Sequence, residues 1–135
     1  MQDPDGFVAE GSAENIFLVQ NGVISTPDVT SALDGITRRT VMQLAQEAGY
    51  KVVERRITRD ELYICDEAWF CGTGVQIAPI TRIEHRPVGD GKIGPVVSDL
   101  REVYFDVVRG RNQKYRHWCT PVYAPVPVAE PVPAH

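Results

Sequence analysis

The sequence predicts one α+β domain of mostly antiparallel strands with two main helices. Short apolar or alternating runs, separated by turn residues, fill the first two thirds of the chain. Two segments switch to helical period: Val41, Leu44, Ala45 and Ala48 recur at i, i+3, i+4 and i+7, and Val96, Leu100, Val103 and Val107 mark a second apolar stripe. A length of 135 residues, 43% hydrophobic and 24% charged, suits a single globular domain with its own core.

Phe7-Val8-Ala9 and Ile16–Gln20 read as strands, and Asn21-Gly22 is a two-residue hairpin signal leading into Val23-Ile24. The first helix covers 36–48, with Gly49 where a C′ glycine is favoured. Lys51–Ile57 alternates as a strand, and Thr58-Arg59-Asp60-Glu61 has the spacing of a capping box. Glu67–Phe70 and Val75–Ile80 are apolar strands on either side of Gly72-Thr73-Gly74, and Thr81–His85 is a further strand. Pro87–Gly94 is a turn-rich link. Pro95 opens the second helix at the position where a missing N–H costs nothing, and Gly110 ends it. From Pro121 onward there are five prolines in fifteen residues. Residues 124–135 therefore read as a disordered, polyproline-like tail after a domain of residues 1–123.

Several function classes are disfavoured. A formal net charge of −4, with no basic cluster among aromatics, argues against a nucleic-acid partner. No apolar run approaches the roughly twenty residues that span a bilayer. The start lacks the basic and apolar regions of a secretory signal, and the odd number of cysteines (Cys65, Cys71, Cys119) suits reduced thiols, so a cytoplasmic setting is expected. No C-x₂₋₄-C or H-x₃₋₅-H spacing supports a metal site. Gly89–Gly94 spells GxGxxG, but Pro87 and Pro95 fit a dinucleotide-binding βαβ unit badly, so a structural turn is expected. Cys71 is expected as a small buried filler. Arg55, Arg56 and Arg59 are expected on a solvated face.

The most constraining stretch is Glu10–Arg38. It places an acid at Glu10, Asn15-Ile16-Phe17 at the start of a strand, Ile24-Ser25-Thr26 at the close of a hairpin, and Leu33-Asp34-Gly35-Ile36-Thr37-Arg38 at the opening of a helix. About ten positions over these twenty-nine residues resemble the signature of the class IV aminotransferases, the fold type IV enzymes that use pyridoxal 5′-phosphate. The resemblance implies the fold of the C-terminal domain of D-amino-acid aminotransferase-like enzymes. It also assigns Glu10 to the pyridine nitrogen, whose protonation makes the cofactor an electron sink. Leu33, Gly35, Ile36 and Thr37 fall at the family's cofactor positions, with the phosphate at Ile36 and Thr37, where a helix N-terminus offers free N–H groups. Gly72-Thr73 matches a second phosphate-binding turn, and the N–H groups of Thr73 and Gly74 are implied to face the substrate carboxylate.

Tyr115-x-His117-Trp118-x-Thr120 resembles an ending found in the branched-chain group. That group moves the amino group of leucine, isoleucine or valine to 2-oxoglutarate. Family members attach the cofactor through a lysine upstream of the motif glutamate, and this lysine is also the proton shuttle. Lys51, Lys92 and Lys114 all lie downstream of Glu10, so none matches it. The chain is therefore expected to be the C-terminal part of such an enzyme, inactive without the missing N-terminal half or an oligomeric partner. Asp3-Pro4-Asp5-Gly6 reads as the turn of a hairpin whose first strand is gone, leaving Phe7–Ala9 with an unpaired edge. The alternatives are a non-catalytic module that binds phosphate or pyridoxal phosphate, or a relative of D-amino-acid aminotransferases or aminodeoxychorismate lyases.

Overall fold

The computed structural model describes residues 1–10, 14–30 and 32–120; the expected domain limit at 123 and the tail 124–135 lie outside them. In chain order the elements are β1 (Asn15–Gln20), β2 (Val23–Thr26), α1 (Ile36–Glu47), β3 (Lys51–Glu54), α2 (Arg59–Ile64), β4 (Glu67–Gly72), β5 (Gln76–Ile80), β6 (Arg82–Ile83), β7 (Arg86–Pro87) and α3 (Pro95–Val108), followed by a 3₁₀ turn at Gln113–Trp118. Five strands form one sheet in the order β3-β2-β1-β4-β5. The expected α+β, mostly antiparallel architecture holds, with one parallel pair between β2 and β3. That pair follows from connectivity, because parallel neighbours need a crossover and α1 provides it.

The β1–β2 turn has Asn21 at φ 51° and Gly22 at φ 76°. Both central residues of a type I′ turn need positive φ, which Asn-Gly tolerates best. Successive residues of β1 bury on opposite faces. Phe17 and Val19 pack with Val41, Leu44 and Ala45 of α1 and with Val97, Leu100, Tyr104 and Val107 of α3. Ile16 and Leu18 pack on the other side with Val8, Ile57, Cys65, Ala68 and Val88. A central strand covered on both faces has no polar alternation, which is why Ile16–Val19 reads as an unbroken apolar run.

Five sequence expectations need correction. The buried stripe of α3 is Val97, Leu100, Tyr104 and Val107 rather than Val96, Leu100, Val103 and Val107. The Tyr104 ring offers more apolar area than a valine, so the helix rolls to bury it and leaves Val96 and Val103 partly covered at the rim. Ala48 is exposed at the C-cap of α1, since the helix ends before it can reach the sheet. The strand from Lys51 stops at Glu54, where Arg55 N–H bonds the Thr26 carbonyl, and Ile57 bridges Val8 instead. The Thr81–His85 strand is cut to Arg82–Ile83 because Glu84 and His85 take positive φ, at 48° and 70°, and reverse the chain into β7. Phe7–Ala9 has no unpaired edge: Val8 bridges Gln2 on one side and Ile57 on the other, and Ala9 N–H bonds the Met1 carbonyl. A single bridge from Gln2 to Val8 thus closes the Asp3–Gly6 turn, and Phe7–Ala9 does not extend into the expected strand.

Other local readings hold. Glu61 Oε2 accepts the Thr58 N–H at 2.7 Å, the reciprocal bond of the capping box, and Pro95 is at the start of α3. Burial pushes the Glu61 carboxyl up, but the Thr58 N–H and the Arg55 guanidinium outweigh it, and the net shift is downward.

Candidate functional site

The motif residues gather at one end of the sheet. There β1 begins, β2 and β4 end, β5 begins and α1 starts, as the registers Asn15↔Cys71 and Gly72↔Gln76 require. Thr26, fully buried, fastens this end by donating its hydroxyl to the Ile16 carbonyl at 2.7 Å.

Glu10 and Leu33, twenty-three residues apart, meet directly. Glu10 Oε2 accepts the Leu33 N–H at 3.0 Å, while the Glu10 carbonyl accepts the terminal ammonium of Met1 at 2.7 Å. The Leu33 carbonyl in turn accepts from Asn15 Nδ2 at 2.8 Å and from the Gly35 N–H at 2.9 Å. Leu33 itself is about three-quarters exposed, as is Ile36 (73% and 77%). An exposed apolar pair beside a fixed carboxylate can lie against the face of a flat ligand.

The N-terminus of α1 is open. Gly35 caps it without any side-chain bond, and its first turn holds no acid. The hydroxyls of Thr37 and Thr73 have no partner among the described residues. The N-terminus of α3 is closed by contrast: the buried Glu67 carboxylate accepts the Val96 and Val97 N–H groups at 3.2 and 3.0 Å. Among the described residues the start of α1 is thus unfilled and that of α3 is filled, and the GxGxxG turn before α3 is the structural link it was expected to be.

Arg38 holds α1 in place. It is 1% exposed, and its guanidinium reaches Glu54 Oε1 at 2.6 Å, the Pro27 carbonyl at 3.0 Å and Asp34 Oδ1 at 3.3 Å. It thereby ties the ends of β2 and β3 to the first turn of the helix. Sequence reasoning left Arg38 as the last letter of a motif. The signal was available, because Arg38 stands three residues before Val41 and seven before Ala45, in the apolar register. The Asn15 brace and the Glu67 cap were also missed, and both depend on contacts far apart in sequence.

Not every expected residue converges. Glu10 opens onto a cleft of about 440 Å³ shared with Val8, Ile16, Tyr63, Phe70 and Ile80. Ile36 and Thr37 line a separate groove of about 390 Å³ with Tyr104, Val107 and Trp118. Thr73 and Gly74 are exposed in the β4–β5 turn, which follows the Cys71 that pairs with Asn15.

The lysines lie elsewhere. Lys51 opens β3 opposite Val23, at the far end of β2 from Thr26. Lys92 sits in the turn before α3, whose start is held by Glu67 at the far end of β4 from Gly72. Lys114 Nζ pairs with Glu47 at the C-terminal end of α1, 3.4 Å away. All three are at the end of the sheet opposite the motif residues.

All three cysteines are free thiols. Cys71 is fully buried, and burial pushes its thiol up to about 12 against the opposing charge of Arg38. Burial also raises Cys65, to about 11. Both are therefore protonated fillers at neutral pH, as expected of Cys71. In native protein at pH 8, iodoacetamide should label Cys119 first and Cys65 and Cys71 only on unfolding. Labelling of Cys71 at the Cys119 rate, read by peptide mass spectrometry, would refute its burial.

Among the described residues no helix is long and apolar enough to cross a membrane, and no three His, Cys, Asp or Glu residues gather to hold a metal ion.

Comparison with known proteins places this geometry. The family model for class IV amino-transferases matches residues 1–83. The branched-chain-amino-acid aminotransferase of Pseudomonas aeruginosa is 52% identical over 120 residues, covering 89% of this chain and 39% of that protein. The probable branched-chain-amino-acid aminotransferase of Aquifex aeolicus is 47% identical over 87% of this chain and 39% of its own length. Among solved structures, the PLP-form (holo-form) of the branched-chain amino acid aminotransferase from Thermobaculum terrenum superposes with a TM-score of 0.89 at 44% identity, over 92% of this chain and 41% of that one. This chain thus spans about two fifths of the length of the relatives it matches. With the Glu10–Arg38 pattern, the open α1 terminus and these likenesses in hand, the chain belongs to the class IV amino-transferase family.

Proposed function

We propose that residues 1–123 are the cofactor-binding C-terminal part of a branched-chain-amino-acid transaminase, which moves the amino group of leucine, isoleucine or valine to 2-oxoglutarate. The observation that carries this reading is the meeting of Glu10 and the open start of α1 at the Leu33 peptide. A carboxylate bonded to Leu33, three residues before an unfilled helix N-terminus, suits a ligand with a cationic ring nitrogen and a phosphate, which is the polarity of pyridoxal 5′-phosphate. Bound there, the cofactor supplies an electron sink for the substrate α-carbon. Glu10 would hold the ring nitrogen protonated. Leu33 would cover the ring, and Gly35, Ile36 and Thr37 would bind the phosphate. Gly72 and Thr73 would close on the phosphate from β4, with the Thr73 and Gly74 N–H groups turned to the substrate carboxylate. The Schiff-base lysine would come from an N-terminal half or another subunit. The three unpaired thiols support a reducing cytoplasm.

One observation favours the second reading, a non-catalytic module: every lysine of the chain is at the wrong end of the sheet. Pyridoxamine 5′-phosphate tests the shared core of both, because it binds without a lysine. Titrated into the chain, it should shift the backbone resonances of Leu33, Ile36, Thr37 and Thr73. Shifts confined to other residues would overturn the site. Thr37→Val and Thr73→Val should each remove a hydrogen bond to a dianion, worth about 1.5–3 kcal/mol. The dissociation constant should rise about tenfold to hundredfold, less than additively in the double variant. Unchanged affinity in both single variants would remove the threonines from the phosphate site.

A further inference from the structure

Gly35 raises a question that its own backbone does not answer. Its φ of −69° and ψ of 146° are ordinary extended values that any L residue adopts. A side chain is nevertheless excluded, because a Cβ built there would lie 2.6 Å from Asn15 Oδ1. The same carboxamide donates from Nδ2 to the Leu33 carbonyl at 2.8 Å. Asn15 is 7% exposed, so its two polar ends are held by packing as well as by that bond. Its backbone is paired across the sheet with Cys71, the residue before the Gly72-Thr73 turn.

We infer that Asn15 is the positioning residue of this cofactor site: its carboxamide clamps the Leu33–Gly35 turn to the end of β1 and sets the spacing between the Glu10 carboxylate and the N-terminus of α1. The Leu33 peptide is held at both ends, by Glu10 on its N–H and by Asn15 on its carbonyl. Loss of the Glu10 bond frees only the carboxylate. Loss of the Asn15 bond frees the turn, and with it the helix start that faces the phosphate. Asn15 also explains why Gly35 and Cys71 belong to one unit, although 36 positions separate them in sequence. Its side chain seats the first and its main chain pairs the second. The assignment of a ligand to this turn rests on the function proposed above, whereas the clamp itself is a property of the free chain.

Two readouts on the full chain separate the clamp from the function. In ligand-free protein, Asn15→Ala should speed hydrogen exchange of the Gly35 and Leu33 amides at least tenfold, while amides in the centre of β1 and β4 keep their rates. Exchange unchanged at Leu33 and Gly35 overturns the clamp, whatever the ligand does. With pyridoxamine 5′-phosphate as probe, Asn15→Ala should weaken binding about tenfold, and Gly35→Ala at least as much. The double variant Asn15→Ala/Gly35→Ala should bind no more weakly than Gly35→Ala alone, since removing the carboxamide makes room for the new methyl group. Additive losses would show that Gly35 and Asn15 act separately and overturn the inference. Asn15→Ser is the gentler variant should Asn15→Ala fold poorly, and it must show the same local exchange change. If the wild-type chain does not bind the probe while the exchange results appear as expected, the clamp stands and the proposed function falls.

Discussion

Purified residues 1–135, mixed with leucine, 2-oxoglutarate and pyridoxal 5′-phosphate, should convert leucine no faster than the free cofactor does. Transamination needs an amine that both anchors the cofactor and carries a proton across its face. α1 alone is about 18 Å long at roughly 1.5 Å per residue, and Lys114 is anchored at its far end by Glu47. Lys51 and Lys92 are displaced by the lengths of β2 and β4, about 13 and 20 Å at roughly 3.3 Å per residue. No side-chain rotation brings any of them to Glu10. The measurement is keto-acid formation by the pure chain, with borohydride reduction and peptide mapping as its control. Turnover accompanied by a reduced adduct on one of the three lysines would refute the expectation. Adding a polypeptide that carries the upstream lysine should restore turnover, provided the interface it buries offsets the cost of association. That second arm separates the enzyme reading from the non-catalytic module, for which no addition restores activity.

Legibility in the sequence followed the range of the interaction. Asn21-Gly22, the Thr58–Glu61 box and Pro95 each act within a few residues, and each is found where its local chemistry requires. The motif made Glu10, Leu33, Gly35, Ile36 and Thr37 visible as a set, and the structure joins Glu10 to Leu33 and braces Gly35. What the sequence could not show was the means of assembly. The Asn15 amide meets Leu33 eighteen residues on, and Glu67 caps a helix about thirty residues on. Such pairs leave no periodic trace. In α3 the valine period misleads, because Tyr104 takes the buried face and leaves Val96 and Val103 at the rim. Strand lengths failed for a related reason: Ile57 and His85 continue an alternating pattern, but a bridge to Val8 and two positive φ angles decide where the strands stop.

Trp69→Ala should lower stability by about 3–5 kcal/mol, the largest loss expected from a single substitution in this core. Trp69 is fully buried and lies directly across from Phe17 in the β1–β4 pair, their rings stacked with centroids 5.3 Å apart and planes 4° from parallel. Its indole N–H has no partner among the described residues, so apolar area and stacking are the contributions the ring makes there. A domain of this size holds about 5–15 kcal/mol in all, so the variant should lose about a fifth of its stability or more. At roughly 3.5 °C per kcal/mol for a chain of this length, its thermal midpoint should fall by at least about 10 °C. Val108→Ala, at an exposed position on α3, should stay within about 0.5 kcal/mol and serves as the reference. The effect should reach the site as well, because Asn15↔Cys71 is the pair two steps along the same ladder from Phe17↔Trp69. Exchange of the Asn15 and Cys71 amides should therefore rise in Trp69→Ala even where the chain remains folded. A loss below about 1.5 kcal/mol would mean that the space left by the ring collapses readily. The β1–β4 junction would then not be the rigid base from which the two turns are held.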